Sequence, residues 1–155
     1  MKKFGLAVCF VALSFGALNA HPLIPETDRS VQVYKRDALV PWNRENAGGG
    51  MGPLLGDFAY NRHQTGDQDA FREIGWLTLP KGASIGLHKH IDNEDVYIII
   101  SGKGVFTDSH GKQTEVSAGD VTIARPGQSH ALANTGEEPL VFINVVAKTQ
   151  ILDKK

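Results

Sequence analysis

Residues 88–102 read HKHIDNEDVYIIISG, and this stretch decides the fold. Val96, Tyr97, Ile98, Ile99 and Ile100 form a β-branched and aromatic run that closes on Ser101-Gly102, the composition of a strand running into a turn. His88 and His90 stand two apart. On an extended chain they share one face, with Cα atoms about 6.5–7 Å apart. The same alternation carries Asp95, Tyr97 and Ile99 inward with them unless a bulge intervenes. Residues 96–100 are apolar on both faces, so the outer face is expected to be covered as well, by the N-terminal segment or by a second subunit. A second stretch, GDVTIARPGQSHALAN at 119–134, supplies His130, with Leu132 and Asn134 on its face of the strand.

Outward from these two stretches the chain is a succession of short strands and turns. Strands are predicted over 54–60, 71–79, 95–100, 105–107, 113–116, 121–124, 130–133 and 140–146, with a further short one at 31–34. Turns fall at 80–82, 101–104 and 108–112. No window of eleven residues has helical periodicity. The expected class is all-β, a sandwich or barrel. Residues 46–53, NAGGGMGP, are a glycine-rich loop. No Lys-Ser/Thr follows it, so a surface connection is expected rather than a phosphate cradle.

Three imidazoles and a carboxylate are a nitrogen/oxygen ligand set suited to one divalent first-row metal, with a position or two left for water or substrate. The spacing around them is specific. Gly82, five residues, His88-Lys89-His90, four residues, Asp95, six residues and Gly102 form one block. Gly119, seven residues, Gly127, two residues, His130, three residues and Asn134 form the other. This resembles the two motifs of the cupin superfamily, G-x5-H-x-H-x3,4-E-x6-G and G-x5-P-x-G-x2-H-x3-N, over roughly residues 71–146. The resemblance implies a jelly-roll β-barrel of two packed antiparallel sheets. Its metal ligands would fall on His88, His90, the acidic position and His130, with Mn, Fe, Ni, Cu or Zn as the ion.

Two positions depart from the pattern. Asp95 keeps the six-residue spacing to Gly102 where the family has Glu, while Glu94 keeps the side chain but not that spacing. Asp95 is preferred as fourth ligand, with Glu94 as the alternative; alternation forbids both without a bulge. Arg125-Pro126-Gly127 moves the proline by one and puts a cation near the cavity rim, unless Arg125 is a solvated turn residue.

The N-terminus reads separately. Lys2 and Lys3 precede a nearly continuous apolar stretch to Leu18, and Asn19-Ala20 leads into a polar, proline-containing segment. That is the layout of a secretory signal peptide cleaved after Ala20, too short for a bilayer span. The expected division is signal peptide 1–20, N-terminal extension with the glycine-rich loop 21–53, and barrel 54–155 with its core motifs at 82–134. Export to the periplasm or outside the cell follows. Cleavage would remove two lysines and no acid, leaving 14 basic against 17 acidic residues and no cysteine. That balance gives nucleic acid no electrostatic purchase and suits an oxidising compartment.

The implied functions fall into two classes, the enzyme being the first expectation and the binding protein the alternative. One is a mononuclear metal-dependent oxygenase, decarboxylase or lyase acting on a small oxygenated molecule. The other is a non-catalytic barrel that binds a sugar or small carboxylic acid. An enzyme needs a proton-transfer group beside the metal, for which Glu94, Tyr97 and His63 are the candidates. Small barrels of this kind are commonly dimeric, so a homodimer is expected.

Overall fold

The computed structural model describes residues 30–149. The signal-peptide reading of residues 1–20 lies outside the described residues. Within them run β1 (Val40–Pro41), β2 (Arg44–Glu45), β3 (Pro53–Tyr60), β4 (Phe71–Leu79), β5 (Ser84–Lys89), β6 (Asn93–Ser101), β7 (Lys103–Thr107), β8 (Gln113–Ser117), β9 (Val121–Ala124), β10 (Ser129–Asn134) and β11 (Leu140–Lys148). Two short 3-10 turns, Arg36–Ala38 and Ala47–Gly49, precede β3.

These strands make two antiparallel sheets, the jelly-roll barrel that the cupin resemblance implies. The larger is ordered β1-β3-β4-β11-β6-β9, with β2 also on β3; the smaller is β5-β10-β7-β8. Alternation decides what each strand turns inward. β4 buries Glu73, Gly75, Leu77 and Leu79; β6 buries Asp95, Tyr97 and Ile99; β11 buries Leu140, Phe142, Asn144 and Val146. The register aligns these into rows across the sheet. Leu77, Phe142 and Ile99 form one row, Gly75, Asn144 and Tyr97 the next, Glu73, Val146 and Asp95 the last. The barrel is therefore oily at one end and polar at the other. Phe58, Leu77, Leu79, Ile99, Leu132, Leu140 and Phe142, each at most 1% exposed, fill the oily end, enough apolar burial to anchor a domain of this size.

Two expectations need correction. Residues 31–34 are not a strand; the edge of β3 is taken by Val40–Pro41, and Tyr34 instead sets its ring edge-on to Tyr60 at 6.1 Å. The extension thus joins the sheet from residue 40 onward. The glycine-rich loop is not a plain surface connection either. It lies directly on β5, with Ser84 N donating to the Met51 carbonyl at 2.8 Å. A side chain on Gly86 would strike the backbone of residues 48–50, so only glycine lets the two chains approach this closely.

The outer face of the large sheet is partly covered. Tyr34, Arg36 and Leu39 border a groove with Ile74, Trp76 and Ile143, and the Arg36 guanidinium lies 5.4 Å from the Trp76 ring. Ile100, Val121 and Ile123 remain exposed.

Candidate metal centre

The smaller sheet sets the first two imidazoles. His88 on β5 and His130 on β10 are direct cross-strand partners. Between this pair and the next, Ile85 with Leu132, β5 carries one extra residue, a bulge at Gly86-Leu87. Without it Ile85 and His88, three apart, could not both face inward. His90 follows the end of β5. Its backbone is clamped by the second stretch: His90 N donates to the Gln128 carbonyl at 2.9 Å, and Gly127 N donates to the His90 carbonyl at 2.7 Å. Gly127 has φ +87, which favours glycine at this turn. The fourth residue arrives from the other sheet, on β6.

The four side chains converge. His90 Nε2 lies 3.1 Å from His88 Nε2 and 3.0 Å from His130 Nε2. Asp95 Oδ2 lies 3.4 Å from the Nε2 atoms of both His90 and His130. His88, His90, Asp95 and His130 form a group that could hold a metal ion. Glu94 is not in it. It occupies the other face of β6, opposite Ala147, and does not line the cavity above the imidazoles. The geometry therefore brings Asp95 to the histidines and leaves Glu94 away from them, because Asp95 shares the inward parity of Tyr97 and Ile99.

Hydrogen bonds from neighbouring groups orient His88, His90 and Asp95, whereas His130 Nδ1 is buried without a hydrogen-bond partner. His88 Nδ1 donates to the Gly86 carbonyl at 2.9 Å, and His90 Nδ1 donates to Asn93 Oδ1, whose amide is itself turned by Asp92. Both rings thus present bare Nε2 lone pairs to one another. Asn144 Nδ2 donates to Asp95 Oδ1, leaving Oδ2 for the cluster. Tyr97 stacks on His130 with ring centroids 4.9 Å apart, its hydroxyl 3.4 Å from Nε2. Facing lone pairs repel unless a cation lies between them. Ligands at about 2.1 Å from an ion and at right angles stand about 3.0 Å apart, which matches the imidazole spacing. The donor set therefore fits a metal.

Burial shapes the titration of the group. It raises Asp95 to about 7, against the pull of His90, and lowers His130 to about 4. It lowers His88. It raises Tyr97 well above the ordinary phenol, with the Asp95 charge adding to the effect, so the hydroxyl stays protonated at neutral pH.

The cavity at the polar end has a volume of about 290 Å³. Arg44, Arg62, Arg72, Lys89, Asn93, Tyr97 and Asn144 line it with His88 and His90. His63 and Arg125 do not. The His63 ring stands edge-on to Trp42 at 5.2 Å, and Arg125 is an exposed turn residue. Sequence reading missed Arg44, Arg62, Glu73, Asn93 and Asn144. Asn144 and Glu73 had a signal: each is a polar residue at the inward parity of a strand that is otherwise apolar there. Asn134, by contrast, serves the fold. Its Nδ2 donates to the carbonyls of Leu79 and Glu138, and Gly136 N donates to its Oδ1.

Two antiparallel sheets closed around three histidines and an aspartate define a jelly-roll barrel with a candidate metal centre. A family profile described as the cupin domain matches residues 75–146. The oxalate-binding protein of Thermotoga maritima is 34% identical over 114 residues, 74% of this chain and 92% of that one. The crystal structure of a protein from the same organism, described as a predicted oxalate decarboxylase, superposes with a TM-score of 0.68 at 32% identity, covering 76% of this chain and 99% of that one. The oxalate decarboxylase of Bacillus subtilis is 34% identical over 73 residues, 44% of this chain but only 19% of the enzyme. This chain belongs to the cupin family.

Proposed function

We propose that this protein holds one divalent transition metal on His88, His90, Asp95 and His130 and uses it to bind a small carboxylic acid. The observation that carries the reading is the composition of the cavity: bare imidazole nitrogens at its floor and a cationic wall of Arg44, Arg62, Arg72 and Lys89. A sugar would ask for hydroxyl partners rather than cations; a carboxylate asks for this wall. The bound metal would supply Lewis acidity toward a carboxylate oxygen. The chain's own residues orient the ligand atoms, exclude bulk water and hold the Tyr97 proton. Likeness to the Thermotoga maritima oxalate-binding protein supports oxalate as the first ligand to try.

Binding rather than turnover is the first reading, because neither Glu94 nor His63 reaches the cavity. Turnover by a decarboxylase, oxygenase or lyase is the second reading. Tyr97 favours it, as a protonated hydroxyl beside His130 that can donate to a developing charge. Elemental analysis followed by calorimetric titration with oxalate tests the proposal. One metal per chain and saturable oxalate binding that disappears on chelation are expected. Protein without metal, or oxalate binding that survives chelation, rejects it. Carbon dioxide release from oxalate in the same samples would move the assignment to the second reading.

The proposal includes an exported protein and a homodimer. The basic-then-apolar start of the chain supports export, and an intact mass beginning at His21 is the check. The exposed Ile100, Val121 and Ile123 on the large sheet support self-association, which sedimentation measures.

A further inference from the structure

Two of the arginines lining the cavity, Arg44 and Arg62, are in different electrical conditions. Arg62 is already paired: its Nε donates to Glu73 Oε2 at 2.8 Å and its Nη2 to Oε1 at 3.0 Å, a fork on a carboxylate that is 2% exposed. Arg44 has no such partner. Its Nε is buried without a hydrogen bond, and no carboxylate among the described residues lies within ion-pair distance of it. Yet the side chain is held firmly. It comes from β2, where Arg44 pairs with Leu54, and its guanidinium lies 4.3 Å above the Trp42 ring and 5.9 Å from Phe58. A buried donor left unmatched costs free energy that a ligand can recover.

The charge count points the same way. Arg62 and Glu73 cancel, at the rim Arg72 is offset by Asp92, and the Lys89 ammonium is exposed to water, where its charge is screened. With a divalent ion on the histidines and Asp95 ionised, one positive charge remains at the metal and another at Arg44. A dianion neutralises both; a monocarboxylate leaves the half-buried Arg44 cation without a partner.

We propose that Arg44 receives the second carboxylate of a small dicarboxylate whose first carboxylate lies at the histidine–aspartate centre, and that this contact selects dicarboxylates over monocarboxylates. The inference rests on the proposed metal and carboxylate binding. The Trp42 ring backs the guanidinium at 4.3 Å, and the planar fork of a guanidinium can give a carboxylate two parallel N–H donors. Arg44 belongs to the segment before β3, so selectivity is supplied by the extension while the barrel motifs supply the metal ligands.

The test uses the full chain loaded with metal, titrated calorimetrically with oxalate and with formate, in wild type, Arg44→Gln and Arg44→Lys. Metal stoichiometry and thermal midpoint are measured alongside. Arg44→Gln is expected to weaken oxalate by roughly a hundredfold or more, while formate changes by less than about threefold. Metal stoichiometry is expected to stay at the wild-type value. Arg44→Lys keeps a cation over Trp42 and so guards against loss of the fold. Having lost the fork, it is still expected to weaken oxalate by at least about tenfold. Oxalate affinity equal to wild type in either variant overturns the assignment, as does a parallel loss of oxalate and formate. Wild-type protein that takes up no metal, or binds neither acid, overturns the underlying carboxylate reading instead.

Discussion

Gly86→Ala is the most exacting probe of how the site is built. A methyl group there would stand 2.4 Å from the Gly48 carbonyl oxygen and 2.5 Å from both Gly49 C and Gly50 N. Favourable heavy-atom contacts lie near 3.5 Å, so the loop must retreat by about 1 Å. All three atoms are backbone, so no side chain can swing aside. Gly86 is not at positive φ, so alanine adds crowding without backbone strain. Crowding of this kind costs about 1–3 kcal/mol. The consequence for the site is more specific. The Gly86 carbonyl holds the His88 Nδ1 proton, and displacing it turns the ring and its Nε2. Losing such support typically lowers metal affinity by about 10–100-fold. Urea unfolding of metal-free protein reads the first effect, and competition against a chelating dye reads the second. Gly111→Ala is the control. Gly111 has φ +78 with nothing within 4 Å of a new methyl, so it should cost about 1–2 kcal/mol of backbone strain and leave metal affinity alone. Wild-type unfolding and wild-type metal affinity in Gly86→Ala would refute the close packing of loop on strand.

Asp95→Ala should weaken metal binding by tens of fold or more, whereas Glu94→Ala should leave it within about twofold; a metal titration showing the reverse order would require β6 to be rotated. Asn144→Ala frees Asp95 Oδ1 and should lower metal affinity about tenfold, again read by dye competition. Metal affinity should also depend on pH with a definite sign. Asp95, raised to about 7, is protonated in metal-free protein below that pH, and an entering ion must displace the proton. Affinity should therefore fall by about tenfold per pH unit below 7 and level off above it. His130, lowered to about 4, does not compete in that range. Stability of metal-free protein is a poorer readout. Asp95 loses stability as pH rises from its unfolded value toward 7. His130 loses stability as pH falls from 6.5 toward 4, so the two slopes oppose each other.

Most of the strand positions and the candidate metal-site residues were legible because local rules governed them. β4 and β9 lie where alternation and turn residues placed them, and β3, β6, β10 and β11 differ only at their ends. The parity that sends Tyr97 inward also sends Asp95 inward and Glu94 outward, a consequence of the two-residue repeat of any strand. Motif spacing assigns His88 and His130 to one candidate site, but not to facing positions on neighbouring strands. The bulge that lets Ile85 and His88 share a face was not legible either, since it depends on where the partner strand β10 sits.

The wall of the cavity lay beyond local rules. Residues 46–53 read as a surface connection because nothing nearby in sequence shows that Gly86 and the loop backbone will touch. Arg44 and Arg62 carry no signal in the sequence that sets them apart from any other arginine. Only with the chain folded does Glu73 lie against Arg62 and leave Arg44 unpaired. Sequence alone determined the class of barrel, the inward parity of the strand carrying Tyr97 and the histidines and acids able to gather on one ion, because periodicity and motif spacing are properties of short segments. Tertiary structure decided which charges are cancelled and which are left facing the cavity. That balance depends on distances between β2, β3 and β4, strands whose approach no single segment encodes.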